Sequence, residues 1–441
     1  MTTGDGPRAG AVAYVLKGFP RMSEIFIASE IARLEELGMS LRLYVTKPGD
    51  GSTPHEVVGR IRAPRIAITG SSPSLSGTKL RAWLRVNMPT AGRALGRAAR
   101  RHPVGLARAT WAATAQAFRS RKRPIRWGRK MYLREFLQAV AIADDIDRTD
   151  VRHIHAHFAH GATTVAWLAA MIVDLPLSFT GHARDVYSES LNPNGLLRRK
   201  VDAASFVVTC TDANRRHLEA LGSTTPVHCI YHGLNADFSR LVAGDGAVTP
   251  RAGDGTLRLL AVGRIVPKKG FDTMIDACAL LRDAGVPLEA VIAGEDGAHS
   301  DLVRRRIAAF GLDEQIRLVG PMSQSELHEQ YRAANAFCLP CRILDDGDRD
   351  GVPNVLVEAM ACAVPVVSTD VSGIPELVED GRNGFLVPPD DPVLVAERLR
   401  LIHRDPELAA RLGSAGRDTV LRRFDGAALA RQLAALFDAP R

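Results

Sequence analysis

Short apolar segments alternate with longer stretches of helical periodicity along most of this chain. Residues 11–16 (AVAYVL) are all apolar, whereas residues 24–37 repeat apolar side chains at the three- and four-residue spacing of a helix. Residues 40–46 (SLRLYVT) alternate between polar and apolar, which predicts a second strand. Strands that are separated by helix-length segments pair in parallel, so the pattern predicts an α/β fold.

The same alternation continues through both halves of the chain. In the first half, further strands are predicted at residues 153–158, 177–180, 205–209 and 227–230. In the second half, strands are predicted at residues 257–262, 288–293, 316–319, 336–339 and 364–368. Helices are predicted between these later strands, at residues 271–284, 301–310, 323–333 and 354–362.

A change of composition predicts two domains. Residues 234–256 are rich in Gly, Asp, Ala and Pro and lack periodicity, as expected of a linker. We therefore expect an N-terminal Rossmann-like domain over residues 1–238 and a C-terminal one over residues 256–415. The final segment, 416–441, is predicted to be a helix that packs back on the N-terminal domain. Two domains suit the length of 441 residues, because single cores stop growing at about 250–300 residues.

The charge is distributed unevenly. The formal net charge is +8, yet residues 79–134 contain 16 Lys and Arg and no Asp or Glu, so the remainder has a net charge of −8. We interpret about 79–134 as a basic helical insertion. Its cations, with Trp83, Trp111 and Trp127, are suited to an anionic membrane surface. A plain solvated surface is an equal alternative, and no nucleic-acid partner is expected.

Cysteines and apolar segments bear on location. The six cysteines are scattered, which indicates reduced and mostly buried thiols rather than a disulfide framework. Cys338 and Cys341 form a C-x-x-C, but no second pair follows to complete a zinc module. The first apolar stretch, residues 11–16, is too short for a signal peptide or a membrane span. We expect a cytoplasmic protein, located peripherally at the inner face of the membrane if the basic insertion binds there.

The first chemical motif is residues 262–270 (VGRIVPKKG). It follows a predicted strand and carries Arg264 and Lys269 at the edge of a parallel sheet where ligands bind. An Arg fork and a mobile Lys charge are suited to a diphosphate. Taken alone, the motif is better explained by exposed loop cations.

The second motif is residues 350–361 (DGVPNVLVEAMA), in which Asp350 and Glu358 are eight residues apart. The turn of Gly351, Val352, Pro353 and Asn354 should begin a helix, because proline is tolerated in its first turn. Free amides at a helix start bind anions, and carboxylates bind sugar hydroxyls. The alternative is a loop Asp with an unrelated surface Glu.

Two further motifs, residues 370–378 (DVSGIPELV) and 380–388 (DGRNGFLVP), make a resemblance clear. The second domain resembles the retaining glycosyltransferases of family four, which have the GT-B fold of two Rossmann-like domains facing across a cleft. The similarity is to the bacterial exopolysaccharide and colanic-acid type. In the first domain, residues 19–27, 155–157, 179–182 and 232–235 also resemble that family in order and spacing, and residues 47–133 match least.

The resemblance implies roles for particular residues. Arg264 and Lys269 would bind the donor diphosphate, and Glu358 the ribose. Asp350 would bind the transferred hexose with the amides of Gly351–Asn354, including Val352 and Pro353 as turn residues. His182 would lie beside the reacting sugar and, with Asp350 and Glu358, form the catalytic group. The family more often has Glu at the first acid, so Asp350 is one methylene shorter.

Ser23, Glu24 and His157 are assigned by the resemblance to the acceptor side. Ser23 is equally suited to cap the following helix, and we rank capping first. His153, His155 and His157 alternate as zinc ligands on a strand do, but core or cleft-edge histidines are the better interpretation. We expect no metal and no cofactor, since family members generally work without a bound metal.

These observations predict a retaining, metal-independent hexosyltransferase. The donor would be a nucleotide-diphosphate sugar and the acceptor a saccharide or a lipid-linked molecule, in surface polysaccharide or glycolipid biosynthesis. One alternative is a sugar-nucleotide epimerase of the same fold. Another is a non-catalytic membrane- or nucleic-acid-binding protein on a GT-B scaffold, against which Arg264, Lys269 and Glu358 argue.

Overall fold

The structure is a computed structural model that describes residues 10–21, 24–49, 56–68, 79–119, 125–244 and 255–439. These residues form two compact units. The first contains the described residues up to Cys210, then Asn214–Ile230, and those from Ala430 onward. The second contains Thr211–Ala213 and Tyr231–Leu429.

The division differs from the predicted domain limits. Apart from the residues from Ala430 onward, the first unit ends at Ile230 rather than at residue 238, because Phe238 is fully buried in the core of the second unit. The predicted limit at residue 415 falls within a helix, Pro406–Arg423, that belongs to the second unit. Both differences arise because periodicity does not show on which core a helix packs.

The first unit has a seven-stranded sheet in which every pairing is parallel. Its strands are β1 (Ala11–Leu16), β2 (Leu41–Val45), β3 (Arg65–Ala67), β4 (Val151–His157), β5 (Leu177–Gly181), β6 (Phe206–Thr209) and β7 (Val227–Cys229). The strand order is β3-β2-β1-β4-β5-β6-β7. All six residues of β1 are buried, as expected for a central strand of a parallel sheet. β3 was not predicted, because three residues are too few to show alternation.

The helices of the first half lie between these strands. They are α1 (Ile25–Glu36), α2 (Glu56–Arg60), α3 (Leu80–Arg101), α4 (Pro103–Arg119), α5 (Ile125–Ile146), α6 (Gly161–Val173), α7 (Ala183–Tyr187), α8 (Leu196–Ala203) and α9 (Asp212–Glu219). The apolar helix α6 packs against β1, β4 and β5 as well as against α4 and α5. The predicted basic insertion therefore forms α3, α4 and the start of α5.

The expectation that Trp83 faces a membrane is wrong. Its side chain is fully buried on α3 against Ala91 and Leu137, and Leu137 belongs to α5. Arg97 forms two contacts of 2.5 and 2.7 Å with Asp144 of α5, so part of the positive charge of the insertion is used within the fold. The side chain of Trp127 lies outside the described residues.

The second unit has a six-stranded parallel sheet of order β10-β9-β8-β11-β12-β13. Its strands are β8 (Leu257–Val262), β9 (Leu288–Ala293), β10 (Ile316–Gly320), β11 (Ala336–Leu339), β12 (Val366–Thr369) and β13 (Phe385–Val387). The later helices are α10 (Ala236–Gly244), α11 (Phe271–Asp283), α12 (Ser300–Ala309), α13 (Gln324–Ala333), α14 (Asn354–Ala361), α15 (Pro392–Arg404), α16 (Pro406–Arg423) and α17 (Gly426–Asp438).

Two parallel sheets with intervening helices confirm the predicted α/β class of two Rossmann-like domains. The strand order of each sheet reverses at one point, between β1 and β4 in the first and between β8 and β11 in the second. Ligands of such sheets bind beyond the carboxyl ends of the strands at this reversal. We therefore expect the ligand-binding residues of each unit in the segments that follow these four strands.

Two further expectations concern the thiols and the membrane. All six cysteines are free, and all except Cys229 are buried, as the sequence predicted. Within the described ranges, no helix combines the length and the apolar character that a membrane span requires.

Candidate functional site

The segment after β8 presents two lysines. A single turn of 3-10 helix, Pro267–Lys269, follows the strand and ends at Gly270, whose φ is +67°. A Cβ atom at Gly270 would collide with the carbonyl oxygen of Pro340, which follows β11. Glycine is therefore required here by both conformation and space, and its close approach brings this turn against the end of the neighbouring strand.

Lys268 and Lys269 both contact Asp350. Nζ of Lys269 lies 2.8 Å from Oδ2 of Asp350, and Nζ of Lys268 lies 3.2 Å from Oδ1. Lys268 is also 3.0 Å from Oδ1 of Asp348. The side chains of the two lysines are each 14% exposed and that of Asp350 is 18% exposed, so the charges lie in a largely desolvated cluster. The sequence reasoning missed Lys268, although it adjoins Lys269 in the same motif.

The cluster holds its groups in the charged state. Burial acts to raise the pKa of Asp350, but the positive charges of Lys269 and Lys268 outweigh it and lower that pKa to about 2. Burial acts to lower the pKa of Lys269, and Asp350 more than compensates, so this pKa is raised. Arg264 is exposed on the same loop, and its charge opposes that rise. The segment after β8 thus places Lys268 and Lys269 on one half-buried carboxylate, with the charge of Arg264 near Lys269.

The turn after Asp350 begins α14 as predicted. Pro353 has extended backbone angles and precedes the first helical residue, Asn354, and no side chain caps this helix start. Gly351, Val352 and Asn354 are half-buried, whereas Pro353 is buried. The first amides of a helix have no partner within the helix. This turn therefore provides amide donors next to the charged cluster.

Glu358 lies on the buried face of α14 and has different surroundings from Asp350. It is 4% exposed, and its Oε1 and Oε2 accept hydrogen bonds from Nδ2 of Asn235 at 3.0 Å and from the hydroxyl of Tyr331 at 3.1 Å. Burial raises the pKa of Glu358 to about 7, against the effect of both hydrogen bonds. The partners Asn235 and Tyr331 were not predicted, although Asn235 closes the HGLN motif.

His182 belongs to the first unit and lies directly after β5. Its ring centroid is 4.6 Å from that of Phe158 and 5.2 Å from that of Phe26. Its backbone amide donates to Oδ1 of Asp185 at 2.9 Å. Burial raises the pKa of Asp185 to about 7, although backbone amides including that of His182 act to lower it. The position of His182 is thus fixed by its aromatic neighbours and by Asp185.

The three histidines of β4 lie in the core of the first unit. The hydroxyl of Ser178 is 2.7 Å from Nε2 of His153 and 2.8 Å from Nδ1 of His155. Nε2 of His157 is 2.9 Å from Oε1 of Glu30. Burial, with smaller effects from the other two histidines, lowers the pKa of His155 well below its usual range.

The positions of these histidines can be compared with their predicted roles as metal ligands, core residues or acceptor contacts. Donor atoms of Glu30, His155 and His157 lie within 4.8 Å of one another, which is compatible with a metal ion. All three histidines are buried, in accord with their interpretation as core residues, and the absence of a metal stays a prediction. His157, assigned to the acceptor side, is fully buried.

The remaining acceptor-side residues lie before α1. Ser23 is outside the described residues. Glu24 is the residue that precedes the helix, and its side chain makes no capping hydrogen bond but accepts from Nη1 of Arg21 at 2.7 Å. Burial raises the pKa of Glu24, and Arg21 acts in the opposite direction.

Two family models match the chain. Residues 250–419 match the model described as glycosyl transferases group 1. Residues 93–238 match the model described as glycosyltransferase family 4. Together the matches extend across both units and include the charged cluster, Glu358 and His182.

Two relatives extend the comparison. The colanic acid biosynthesis glycosyltransferase WcaL of Salmonella typhimurium is 28% identical over 437 residues, with 96% of this chain and 98% of that protein covered. The phosphatidyl-myo-inositol mannosyltransferase of Mycobacterium leprae is 30% identical over 292 residues, with 66% of this chain and 73% of that protein covered.

A solved structure shares the fold. HepE of Anabaena, determined in complex with UDP and glucose, superposes with a TM-score of 0.66 at 19% identity. The superposition covers 98% of this chain and the whole of that one. At this identity, the similarity is evidence for the fold.

Proposed function

Because the chain belongs to the glycosyltransferases of family 4 with the GT-B fold, we propose that it transfers a hexosyl group from a nucleoside-diphosphate sugar to a saccharide or lipid-linked acceptor. The proposal includes retention of the anomeric configuration and independence from divalent metal. It rests most directly on the ion cluster of Lys268, Lys269 and Asp350.

The cluster supports the proposal by its chemistry. A nucleoside diphosphate becomes more negative as it leaves the sugar, and preorganised cations in a poorly solvated site stabilise this developing charge. Lys269 and the exposed Arg264 supply such cations beyond the carboxyl end of β8. The amides at the start of α14 are suited to the same anion or to the hexose. Asp350, ionised at neutral pH, is suited to accept hydrogen bonds from hexose hydroxyls.

The proposed reaction needs no protein nucleophile. The acceptor oxygen forms a bond to the anomeric carbon on the face from which the diphosphate departs, while the bond from that carbon to the phosphate oxygen breaks. The proton of the acceptor hydroxyl passes to the leaving phosphate. Positioning and charge stabilisation then supply most of the reduction in barrier. In this scheme, Glu358 positions the donor ribose and His182 lies beside the sugar.

Metal independence is proposed from the same charges. In metal-dependent transfer, a divalent cation neutralises the leaving diphosphate. Here the cations of Arg264, Lys268 and Lys269 would serve that purpose, and no cofactor is invoked. The test is transfer in the presence of a chelator, as described in the Discussion.

The names of the relatives favour a place in surface polysaccharide or glycolipid assembly. WcaL is named for colanic acid biosynthesis and the mycobacterial protein for mannosyl transfer to phosphatidyl-myo-inositol. We propose an acceptor of one of these two kinds. We also propose that the protein attaches peripherally to the cytoplasmic membrane surface. The exposed side chains of α4 support this part of the proposal.

Helix α4 exposes three apolar side chains along one face. Val104 is 71% exposed, Trp111 is 76% exposed and Phe118 is 51% exposed. They are seven residues apart, so they share one face of the helix, while Ala109 and Ala113 are buried on the other. Exposed Arg108 and Arg119 lie on the same helix. An apolar face with flanking cations is complementary to an anionic lipid surface.

One experiment tests the catalytic proposal as a whole. The purified full chain would be incubated with a panel of nucleoside-diphosphate hexoses and either oligosaccharide or lipid-linked acceptors, with products identified by mass spectrometry and their anomeric configuration by NMR. We expect one donor to be consumed with release of nucleoside diphosphate and formation of a product with the donor's configuration. Epimerised donor without transfer, or an inverted product, would overturn the proposal.

A further inference from the structure

A pocket lies in the first unit, at the strand-order reversal of its sheet. Its volume is about 580 Å³, within the range of small-molecule sites. Lys17 follows β1, Thr46 and Lys47 follow β2, and His160 and Gly161 follow β4 at the start of α6. The remaining wall comes from α5 and from the segment leading into α8. The pocket thus lies where a parallel sheet binds ligands.

Three cations line this pocket without a carboxylate partner. Lys17, Lys47 and Arg134 are among the lining residues, and among the described residues none of them forms a salt bridge. Burial lowers the pKa of both lysines. Lys47 and Arg21 lower that of Lys17 further, and Arg134 and Arg21 that of Lys47. The three charges therefore repel one another in a partly desolvated place, in contrast to the paired lysines of the second unit.

Neighbouring carboxyl groups offset this positive charge only in part: Glu24 acts to raise the pKa of Lys17, and Glu135 that of Lys47. Glu135 is the one carboxyl group among the described lining residues, and burial raises its pKa to about 7, although the charges of Lys200, Arg134 and Lys47 act to lower it. Its Oε2 has no hydrogen-bond partner within the described ranges, and the residue is 2% exposed. His160, which precedes α6, is held neutral because burial and the nearby lysines lower its pKa to about 3.

The start of α6 adds further attraction for an anion. Gly161 and Ala162 both line the pocket and belong to the first turn of this 13-residue helix. The side chain of His160, which precedes the helix, makes no capping hydrogen bond, so the first amides of α6 are suited to donate to a ligand. A Cβ atom at Gly161 would lie 3.2 Å from Oε1 of Glu135, which shows how closely the helix start approaches the buried carboxyl.

Apolar side chains complete the lining of the pocket. Met131 of α5, Val165 of α6, and Leu191 and Leu196 around the start of α8 line it. Val165 and Leu196 are buried in the core, so their positions are fixed by packing. A lining that combines cations with fixed aliphatic side chains matches a molecule with an anionic group and a hydrocarbon part.

We propose that this pocket binds a phosphate or diphosphate monoester with an apolar chain, with the anionic group between Lys17, Lys47 and Arg134 and the chain against Met131, Leu191 and Leu196. This inference assigns the class of the acceptor and therefore rests on the proposed function. The acceptor would carry its saccharide on such a lipid phosphate. The cations of the pocket recognise the ester, independently of the sugar that is attached.

Calorimetric titration of the full chain tests the assignment. Decyl phosphate, decyl glucoside and inorganic phosphate would be used at low ionic strength and below the critical micelle concentrations. Decyl phosphate should bind at least about tenfold more tightly than the other two, because it alone has both parts. Equal binding of decyl phosphate and decyl glucoside would overturn the role of the cations. Equal binding of inorganic phosphate would overturn the role of the apolar side chains and identify a free phosphate as the ligand.

Variants complete the test. Lys47→Gln with Arg134→Gln should weaken decyl phosphate binding by about tenfold or more, as expected for the loss of charge-assisted contacts. Arg62→Gln, which removes an exposed cation that precedes β3 and does not line the pocket, is the matched control and should leave it unchanged. Lys47→Gln alone gives a variant that should fold normally, since Lys47 is exposed. Unchanged affinity in either pocket variant would overturn the assignment.

Binding of nucleoside diphosphates separates this inference from the proposed function. The pocket variants should bind UDP or another nucleoside diphosphate as the wild type does, because their substitutions lie outside the charged cluster of the second unit. If no nucleoside diphosphate binds the wild type while decyl phosphate does, the transferase proposal fails and the pocket assignment stands. If the reverse is found, the pocket assignment fails alone.

Discussion

Nζ of Lys269 lies 2.8 Å from Oδ2 of Asp350, although the family resemblance assigns the lysine to the donor diphosphate and the acid to the transferred hexose. The two groups are 81 residues apart in the sequence and meet because β8 and β11 are neighbours in the sheet. A bound diphosphate would form an ion pair with Lys269 and weaken the contact of this lysine with Asp350. The Asp350 carboxylate could then accept hydrogen bonds from hexose hydroxyls. The ion pair therefore links the two halves of the donor site.

Removing the ammonium of Lys269 should reduce transfer strongly. We expect Lys269→Ala to lower kcat/KM by about 10²–10³, the range for loss of one preorganised charge-stabilising group. Steady-state kinetics with saturating acceptor would measure it. Arg304→Ala is the control, since this exposed arginine of α12 pairs only with exposed Asp296 and Asp301 among the described residues. Full activity of Lys269→Ala with an unchanged melting temperature would contradict the donor assignment.

The length of the side chain at Asp350 should affect donor choice. Asp350→Glu keeps the charge that pairs with Lys268 and Lys269 but moves the carboxylate by one methylene, so kcat should fall and the preference among hexoses should shift. Asp350→Asn removes the charge and should abolish most transfer. Competition between two nucleotide sugars in one reaction measures the preference. An unchanged ratio in Asp350→Glu would show that this carboxylate does not contact the sugar.

Glu358 should make stability depend on pH. Burial raises its pKa to about 7 from an ordinary value of 4.5, so between these values the folded state binds more protons than the unfolded state. The free energy of unfolding from this group therefore falls as pH rises through that window, by on the order of 3 kcal/mol in total. Below about pH 4.5 the penalty is absent, and above about pH 7 it is complete.

Urea unfolding of Glu358→Gln at pH 5 and pH 8 measures this effect. Relative to wild type, the variant should gain stability at pH 8 compared with pH 5, because the amide does not ionise. Glu314→Gln, at an exposed position, should follow the wild type at both values. Parallel behaviour of Glu358→Gln and wild type would show that the buried carboxylate does not titrate in this range. In kinetics, the same variant should lose most transfer, because the ribose loses a charged acceptor.

Chelation should not affect transfer. With the cations of Arg264, Lys268 and Lys269 at the diphosphate, we expect the same initial rate in EDTA, in magnesium and in manganese. The measurement is the release of nucleoside diphosphate after dialysis against chelator. Loss of activity in EDTA that manganese or magnesium restores would contradict the proposed role of these cations.

The exposed face of α4 should determine vesicle binding. Trp111→Ser with Phe118→Ser should reduce co-sedimentation with anionic vesicles, because two apolar anchors are lost, while the fold is unaffected. Leu421→Ser removes a side chain of α16 that is 52% exposed and should not change the binding. Binding should weaken as salt rises, since the Debye length contracts. Equal co-sedimentation of the wild type with neutral and anionic vesicles would contradict the proposed attachment to an anionic membrane surface.

The partners of the three β4 histidines and the burial of Trp83 could not be predicted from the sequence. The alternation of His153, His155 and His157 was apparent, but their partners Ser178 and Glu30 come from β5 and α1. Trp83 appeared to be an interfacial anchor, because neighbouring cations dominate the local composition. Its burial against Leu137 depends on how α3 packs on α5, which helical periodicity within α3 does not reveal.

By itself, the sequence determined the alternation of strands and helices, the two Rossmann-like units and the motifs that follow their strands, since these depend on local periodicity and turn chemistry. Only the tertiary structure decided which charges meet. Lys268 and Lys269 pair with Asp350 because parallel strands that are distant in sequence end side by side. Glu358 acquires Asn235 as its partner because the chain from Tyr231 onward, which includes Asn235, belongs to the second unit. Burial and neighbouring charges are properties of the packed chain, and they set the ionisation of each of these groups.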